Sequence, residues 1–321
     1  MKLKDIYKEA LKFAIKMDPR GESVVKEQLN EEKKKFEKLS EKEKKYYDVE
    51  KLTNPYSDSR IIYDNNRDVK NILVGIDMEV QEVLLADRLN EKGKKIDAII
   101  AHHPSGLGLA QLYEVMGIQT DIFCKYGVTV SVAEDLTLAR AKEVKEKILP
   151  TNFYRTYDAA KLLNIQIMNM HTFTDNCVTT YLQKEFDKEK PKKLGDIIDL
   201  LLKEAEYQEY AKRGMPPIIL LGEKTRKVNK IFVDMTGGTE GAKEIYKNLA
   251  NSGIDTIVGM HFSPEHKTAM QEARVNAVIA GHISSDVLGM NIMLDEIEKK
   301  LEKLSVYEAS GFIRVNRNKR K

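Results

Sequence analysis

The chain has no tryptophan, two cysteines and only six histidines among its 321 residues. Two cysteines, Cys124 and Cys177, are too few for a disulfide framework or a thiolate zinc cage, and they fit a reduced, cytoplasmic setting. No apolar stretch approaches the ~20 residues needed to cross a bilayer, and the opening MKLKDIYKEALKF lacks the apolar core of a secretion signal, so no membrane partner is expected. Charge of one sign is also scarce. The net charge is only +3 although 32% of the residues are charged, which leaves no bulk electrostatic case for nucleic acid. The basic segment RVNRNKRK (314–321) reads as a solvated terminus. A Gly-x-Ser-x-Gly elbow, a dinucleotide fingerprint and a Walker loop are all missing.

What is present divides into two kinds of pattern. Through residue 50 the chain is densely charged, with Ile6, Ala10, Phe13 and Met17 at helical spacing and Val25, Leu29, Phe36 and Leu39 following. Two amphipathic helices are expected, broken around Pro19-Arg20-Gly21, with apolar stripes that must dock on the body or on a second subunit. From about Lys70 apolar strands alternate with helices. NILVGID, IDAIIAH, KIFVDM, IDTIVGMH and NAVIAGH read as strands, and GFIRV as a last one. Such alternation predicts α/β layers with a largely parallel sheet.

The strand series occurs twice. IDAIIAHHPS (96–105) aligns with IDTIVGMHFS (254–263), and His103 falls on His261. The predicted fold is therefore a duplicated α/β protein: two related halves with a metal site in the cleft between them, plus a helical N-terminal extension. The expected divisions are 1–52 for the extension, 53–190 for the first half and 191–321 for the second.

His102 and His103 stand at the end of a strand, just before Pro104. Inside a strand adjacent side chains face opposite ways, but at its end the chain can turn both imidazoles into one pocket. Three histidines are followed four residues later by an acid: His171 by Asp175, His282 by Asp286 and His261 by Glu265. On a helical turn that spacing puts both groups on one face, and at the carboxyl ends of strands α/β sheets bind ligands. For HISSD the histidine is expected on the strand tip and the aspartate in the first helical turn. DMTGGTEGA (234–242) reads either as an anion cradle or as a tight turn.

The ordered set ILVGIDMEVQEV, AIIAHHP, MHTFTD, KIFVDMTGGTEGA and AVIAGHISSD resembles the Nif-three-like family of dinuclear metal-centre proteins, also described as GTP cyclohydrolase I type 2 homologues. The resemblance implies that His102, His103, Asp175, His282 and Asp286 hold two divalent metal ions per chain, zinc, iron or manganese. It also implies a homo-oligomer, a hexamer. The family commonly has glutamate where this chain has Asp286, and the segment between HHPSG and HTFTD is longer here. His171, His261, His266 and Glu240 are read as neighbours that support the ligands or move protons, and no catalytic residue is assigned.

The expected function is a metal-dependent hydrolase of a small nucleotide-like or phosphorylated molecule, with the cyclohydrolase activity implied by resemblance only. The alternative is a non-catalytic, metal-binding oligomeric scaffold or regulatory protein.

Overall fold

The computed structural model describes residues 1–319 and is a mixed α/β structure with two sheets. The strands are β1 (Ser59–Tyr63), β2 (Asn71–Gly75), β3 (Ala98–Ala101), β4 (Gln166–Met170), β5 (Ile218–Leu221), β6 (Ile231–Asp234), β7 (Thr256–Gly259), β8 (Asn276–Ile279) and β9 (Ser305–Glu308). The first sheet runs β1-β4-β3-β2-β9 and the second β5-β8-β7-β6. Within each sheet the strands are parallel except β1 and β5, which lie antiparallel at an edge. AIIA of β3 and TIVG of β7 are wholly buried, as a parallel strand covered on both faces must be.

The duplication extends beyond strand order. Ala98 pairs with Gln166 in the first sheet as Thr256 pairs with Asn276 in the second. Both antiparallel edge strands shift register at the same place, between Ile61 and Tyr63 and between Ile219 and Leu221. The shared Ile-Asp start has a physical use. Asp97 accepts hydrogen bonds from the amides of Lys70 (2.9 Å) and Asn71 (2.7 Å) as β2 begins. Asp255 does the same for Asn229 (3.0 Å) and Lys230 (2.8 Å) before β6.

Two long helices, His171–Glu189 and His282–Lys300, follow β4 and β8 and pack against each other across the boundary between the halves. Their approach is close: a Cβ on Gly289 would lie 2.4 Å from the carbonyl oxygen of Thr174. Helix α1 (Leu3–Lys16) lays Leu3, Ile6, Ala10 and Ala14 on both of these helices, so the extension docks on the body. Helix α2 (Glu22–Lys38) buries only Val25, and its Phe36 packs on Tyr47 at 4.8 Å between ring centroids.

Local structure differs from expectation at GFIRV and at the basic terminal segment. GFIRV is not a strand: Gly311 turns the chain at φ 80°. The last strand is β9, which pairs with β2, so residues 305–308 belong to the first sheet although they fall beyond the division at 190/191. After β6 the next helix begins only at Ile245, and Gly237 (φ 96°) and Gly238 (φ 83°) hold the chain before it as a loop. The basic terminal segment is anchored through two of its arginines. Arg314 pairs with Asp295 (2.7 Å) and Glu298 (3.0 Å), and Arg317 with Glu204 (3.0 Å) and Glu206 (2.8 Å). The Glu206 side chain is fully buried, and a buried carboxylate needs a paired cation. Arg320 and Lys321, the end of that segment, lie outside the described residues. Among the described residues no helix is long and apolar enough to cross a membrane.

Candidate metal centre

β3 ends at Ala101, and the amides of His102 and His103 still bond to the carbonyls of Gly75 and Ile76, each at 3.0 Å. The turn that follows brings the two rings side by side, 5.0 Å between centroids, with His171 at 5.0 Å from His102. Each ring is fixed from behind through Nδ1. His102 Nδ1 lies 2.8 Å from Thr174 Oγ1, whose own proton goes to the Met170 carbonyl at 2.7 Å, so the imidazole donates. His103 Nδ1 donates to Asp77 at 2.6 Å, and His171 Nδ1 to Asp58 at 2.8 Å. All three therefore turn Nε2 towards one another, the arrangement by which outer carboxylates and hydroxyls orient ligating imidazoles.

The carboxylates come from the first turns of the two central helices. Asp175 Oδ1 is 3.6 Å from His102 Nε2, and its Oδ2 is 3.8 Å from His171 Nε2. Asp286 reaches three rings: Oδ1 to His102 Nε2 at 3.3 Å, and Oδ2 to His103 and His282 Nε2 at 3.6 Å each. His282 is itself the first residue of its helix, so the histidine and the aspartate share one turn rather than dividing between strand and helix. Asp286 is fully buried and Asp175 nearly so, yet Asp175 Oδ1 and both Asp286 oxygens have no hydrogen-bond partner.

The charges are strongly perturbed. Burial pushes the His102 imidazole down to about 4 against the opposing pull of Asp286, which keeps it neutral. Burial, then the negative charges of Asp286 and Asp58, hold the Asp175 carboxyl well above the usual range. For Asp286 burial also acts upwards, but the imidazoles of His102, His282 and His103 outweigh it and keep the carboxyl low. Burial lowers His282.

Buried, unpartnered carboxylates among converging imidazoles are a donor set suited to a divalent cation. The candidate ligand atoms fall into overlapping groups, His102/Asp175/Asp286, His103/His282/Asp286 and His102/His103/His171, each within 4.8 Å. Asp286 is common to two of them. Mixed imidazole and carboxylate donors suit zinc, iron(II) or manganese better than magnesium or calcium. The site fits a metal ion.

Beyond the cluster the cleft continues as a cavity of about 370 Å³, walled on the far side by the second half. His261 stands there with its ring 4.8 Å from that of His282 and its Nδ1 3.6 Å from Glu240. That partnership raises its basicity. Asp234 ends β6 in the same wall, and burial beside Glu240 pushes its carboxyl up to about 7.

Every predicted ligand, His102, His103, Asp175, His282 and Asp286, falls in this one cluster. His171 belongs to it as well, with its Nε2 inside, rather than standing behind the ligands. His266 lies outside the cavity. Its Nδ1 and Nε2 are taken by Ser263 Oγ (2.7 Å) and the Gly241 carbonyl (3.0 Å), and it backs the cavity wall through Glu240 at 3.7 Å and the Tyr246 ring at 5.8 Å. The His261–Glu265 pairing does not form: Ser263 caps the helix Pro264–Glu272, which aims Glu265 outwards to Lys243 at 2.6 Å. DMTGGTEGA is a wall of the cavity, with Gln119 donating to the carbonyls of Gly237 (3.1 Å) and Thr239 (2.7 Å). Asp58, Asp77 and Thr174 escaped the sequence reading. The first two stand far from their histidines in sequence; Asp77 lay inside ILVGIDMEVQEV and Thr174 inside HTFTD, but Asp58 lay in no recognisable motif.

Sheets of this order, joined through paired central helices over an imidazole–carboxylate cluster, define a class of two-domain α/β proteins. The chain shares that fold with a NIF3 superfamily protein from Sphaerobacter thermophilus, with a TM-score of 0.72 at 22% identity over 95% of this chain and 98% of that one. Such coverage takes in most of the helical extension. Reduced HcgD from Methanocaldococcus jannaschii is also similar, with a TM-score of 0.46 at 13% identity over 78% of this chain and 88% of that one. No family model matches the chain, and no curated protein does.

Proposed function

We propose that this is a Nif-three-like, two-metal protein that hydrolyses a small molecule held in the cleft between its halves. The observation that carries this reading is Asp286, a fully buried carboxylate with both oxygens unpartnered and three histidine nitrogens within 3.6 Å. In this reading His102, His171 and Asp175 hold one ion, His103 and His282 hold the other, and Asp286 is shared. Bound there, two divalent ions supply Lewis acidity and lower the pKa of water towards neutrality.

The chain's own residues do the rest. Thr174, Asp77 and Asp58 keep three imidazoles in the ligating tautomer. His261, held at Nδ1 by Glu240, leaves Nε2 free to give or take a proton at the cavity wall. Leu109, Leu112 and Phe262 give the cavity an apolar wall. The self-association implied by the resemblance, up to a hexamer, belongs to the same proposal.

Metal analysis of the purified protein tests it. The expected content is about two ions per chain, with hydrolysis of members of a small-molecule ester and amide panel. In Asp286→Ala both ions and turnover are lost. Full metal content with no turnover across the panel supports the scaffold reading instead, and absence of metal overturns both.

A further inference from the structure

The cavity beyond the metal cluster has an unusual lining for a site meant to take anions. Among the described residues lining it there is no lysine and no arginine. Its acidic groups outside the metal cluster are Glu79, Asp234 and Glu240, and its apolar wall includes Leu109, Leu112 and Phe262. Glu240 is held in place on several sides. One oxygen accepts from the Ser263 amide at 2.8 Å, Arg140 Nε donates to the residue's own carbonyl at 3.1 Å, and His261 and His266 flank the carboxylate. Asp234 has no hydrogen-bonding side-chain partner among the described residues, and it faces the same space. At the cavity's other end the unpartnered, fully buried Asp286 oxygens mark where a ligand's reacting group would meet the metals.

We propose that the molecule bound here is a small cation, an aromatic or aliphatic ring bearing an amine, amidine or guanidine. Its positive group pairs with Glu240 and Asp234, its apolar body lies on Leu109 and Phe262, and its hydrolysable bond points at Asp286. This rests on the two-metal reading above and adds the substrate class to it. The physical reason is desolvation. A phosphate or carboxylate placed against this wall, away from the metal cluster, would lose its water beside Glu240 and Asp234 with only the His261 imidazole to offset them, whereas an amidinium finds charge-assisted acceptors. A volume of about 370 Å³ is at the small end of the ~300–1,000 Å³ usual for ligand pockets, enough for one ring and its substituents.

Calorimetry on metal-loaded, full-length protein tests this with benzamidine, benzamide and phenyl phosphate, three probes of similar size and different charge. Benzamidine is expected to bind at least about tenfold more tightly than benzamide, the ~1.4 kcal/mol of one charge-assisted contact. Glu240→Gln and Asp234→Asn should each erase most of that preference while metal content stays at the wild-type value, which shows that both variants fold. Tightest binding of phenyl phosphate, an unchanged preference in both variants, or no binding of any probe by fully loaded protein overturns the assignment. A protein that takes up no metal fails the earlier reading instead, so the two failures are distinct.

Discussion

The two halves of this molecule are the same construction used for different ends. Register places Gly75 on Asp234, Asp77 on Thr236, His102 on Met260 and His103 on His261. It also places Asp58 on Pro216, and each half opens its central helix with His-x-x-x-Asp. The first half keeps both strand-tip histidines and surrounds them with supporting groups. In the second, one of the two is methionine, the supporting aspartate at Pro216 is gone, and the carboxylate beside His261 comes from Glu240 on a loop. The difference teaches that such a cluster does not need a symmetric set of groups. One half gathers most of the candidate donors, and the other supplies one helix turn of them and a wall.

Replacing a residue of one half by its counterpart in the other tests this division most severely. His102→Met puts the second half's residue into the first. It should remove at least one ion per chain and all hydrolysis, because thioether sulfur is a poor donor to zinc, iron(II) or manganese beside carboxylates. Met260→His should leave metal content unchanged, and elemental analysis reads both. A gain of metal in Met260→His would show that the second half needs only a donor to become a site of its own.

A smaller effect is expected behind the ligands. Asp58→Ala frees the His171 ring to turn, and loss of such outer support weakens metal affinity by about 10–100-fold. Pro216→Ala, at the equivalent position, should leave affinity unchanged in a chelator competition. Equal affinities for the Asp58→Ala variant and wild type would mean that packing alone orients His171.

The smallest effect probes the seam. Gly289→Ala pushes a methyl into the Thr174 carbonyl, and overpacking of this kind costs roughly 1–3 kcal/mol. At ~2–4 °C per kcal/mol, thermal unfolding should fall by several degrees. Thr174 also fixes His102, so metal affinity should fall with it. Stability loss without affinity loss would show that the helices separate below the site.

Much of this was legible in the sequence because it repeats or follows a period. The Ile-Asp starts, the buried four-residue strands and the two His-x-x-x-Asp turns all leave local marks, and the family resemblance added the ligand set. What was not legible depends on distance along the chain. Asp58 and Asp77 meet their histidines only after folding, and neither spacing nor composition singles them out. β9 is short and half exposed, so Ser-Val-Tyr-Glu carries no strand signal comparable to the buried runs. Arg314 and Arg317 looked like part of a charged tail because their partners, Glu206 and Asp295, lie on other helices.

The placement of β9 has a bearing on how the molecule is made. Asp77, which steadies His103, donates its backbone amide to Ser310 Oγ at 3.1 Å, 233 residues away. A nascent chain leaving the ribosome would therefore hold an incomplete first sheet, with the edge of β2 open, until almost all of its partner half had emerged. His282 and Asp286, on the helix just before β9, would be the last groups to join the cluster.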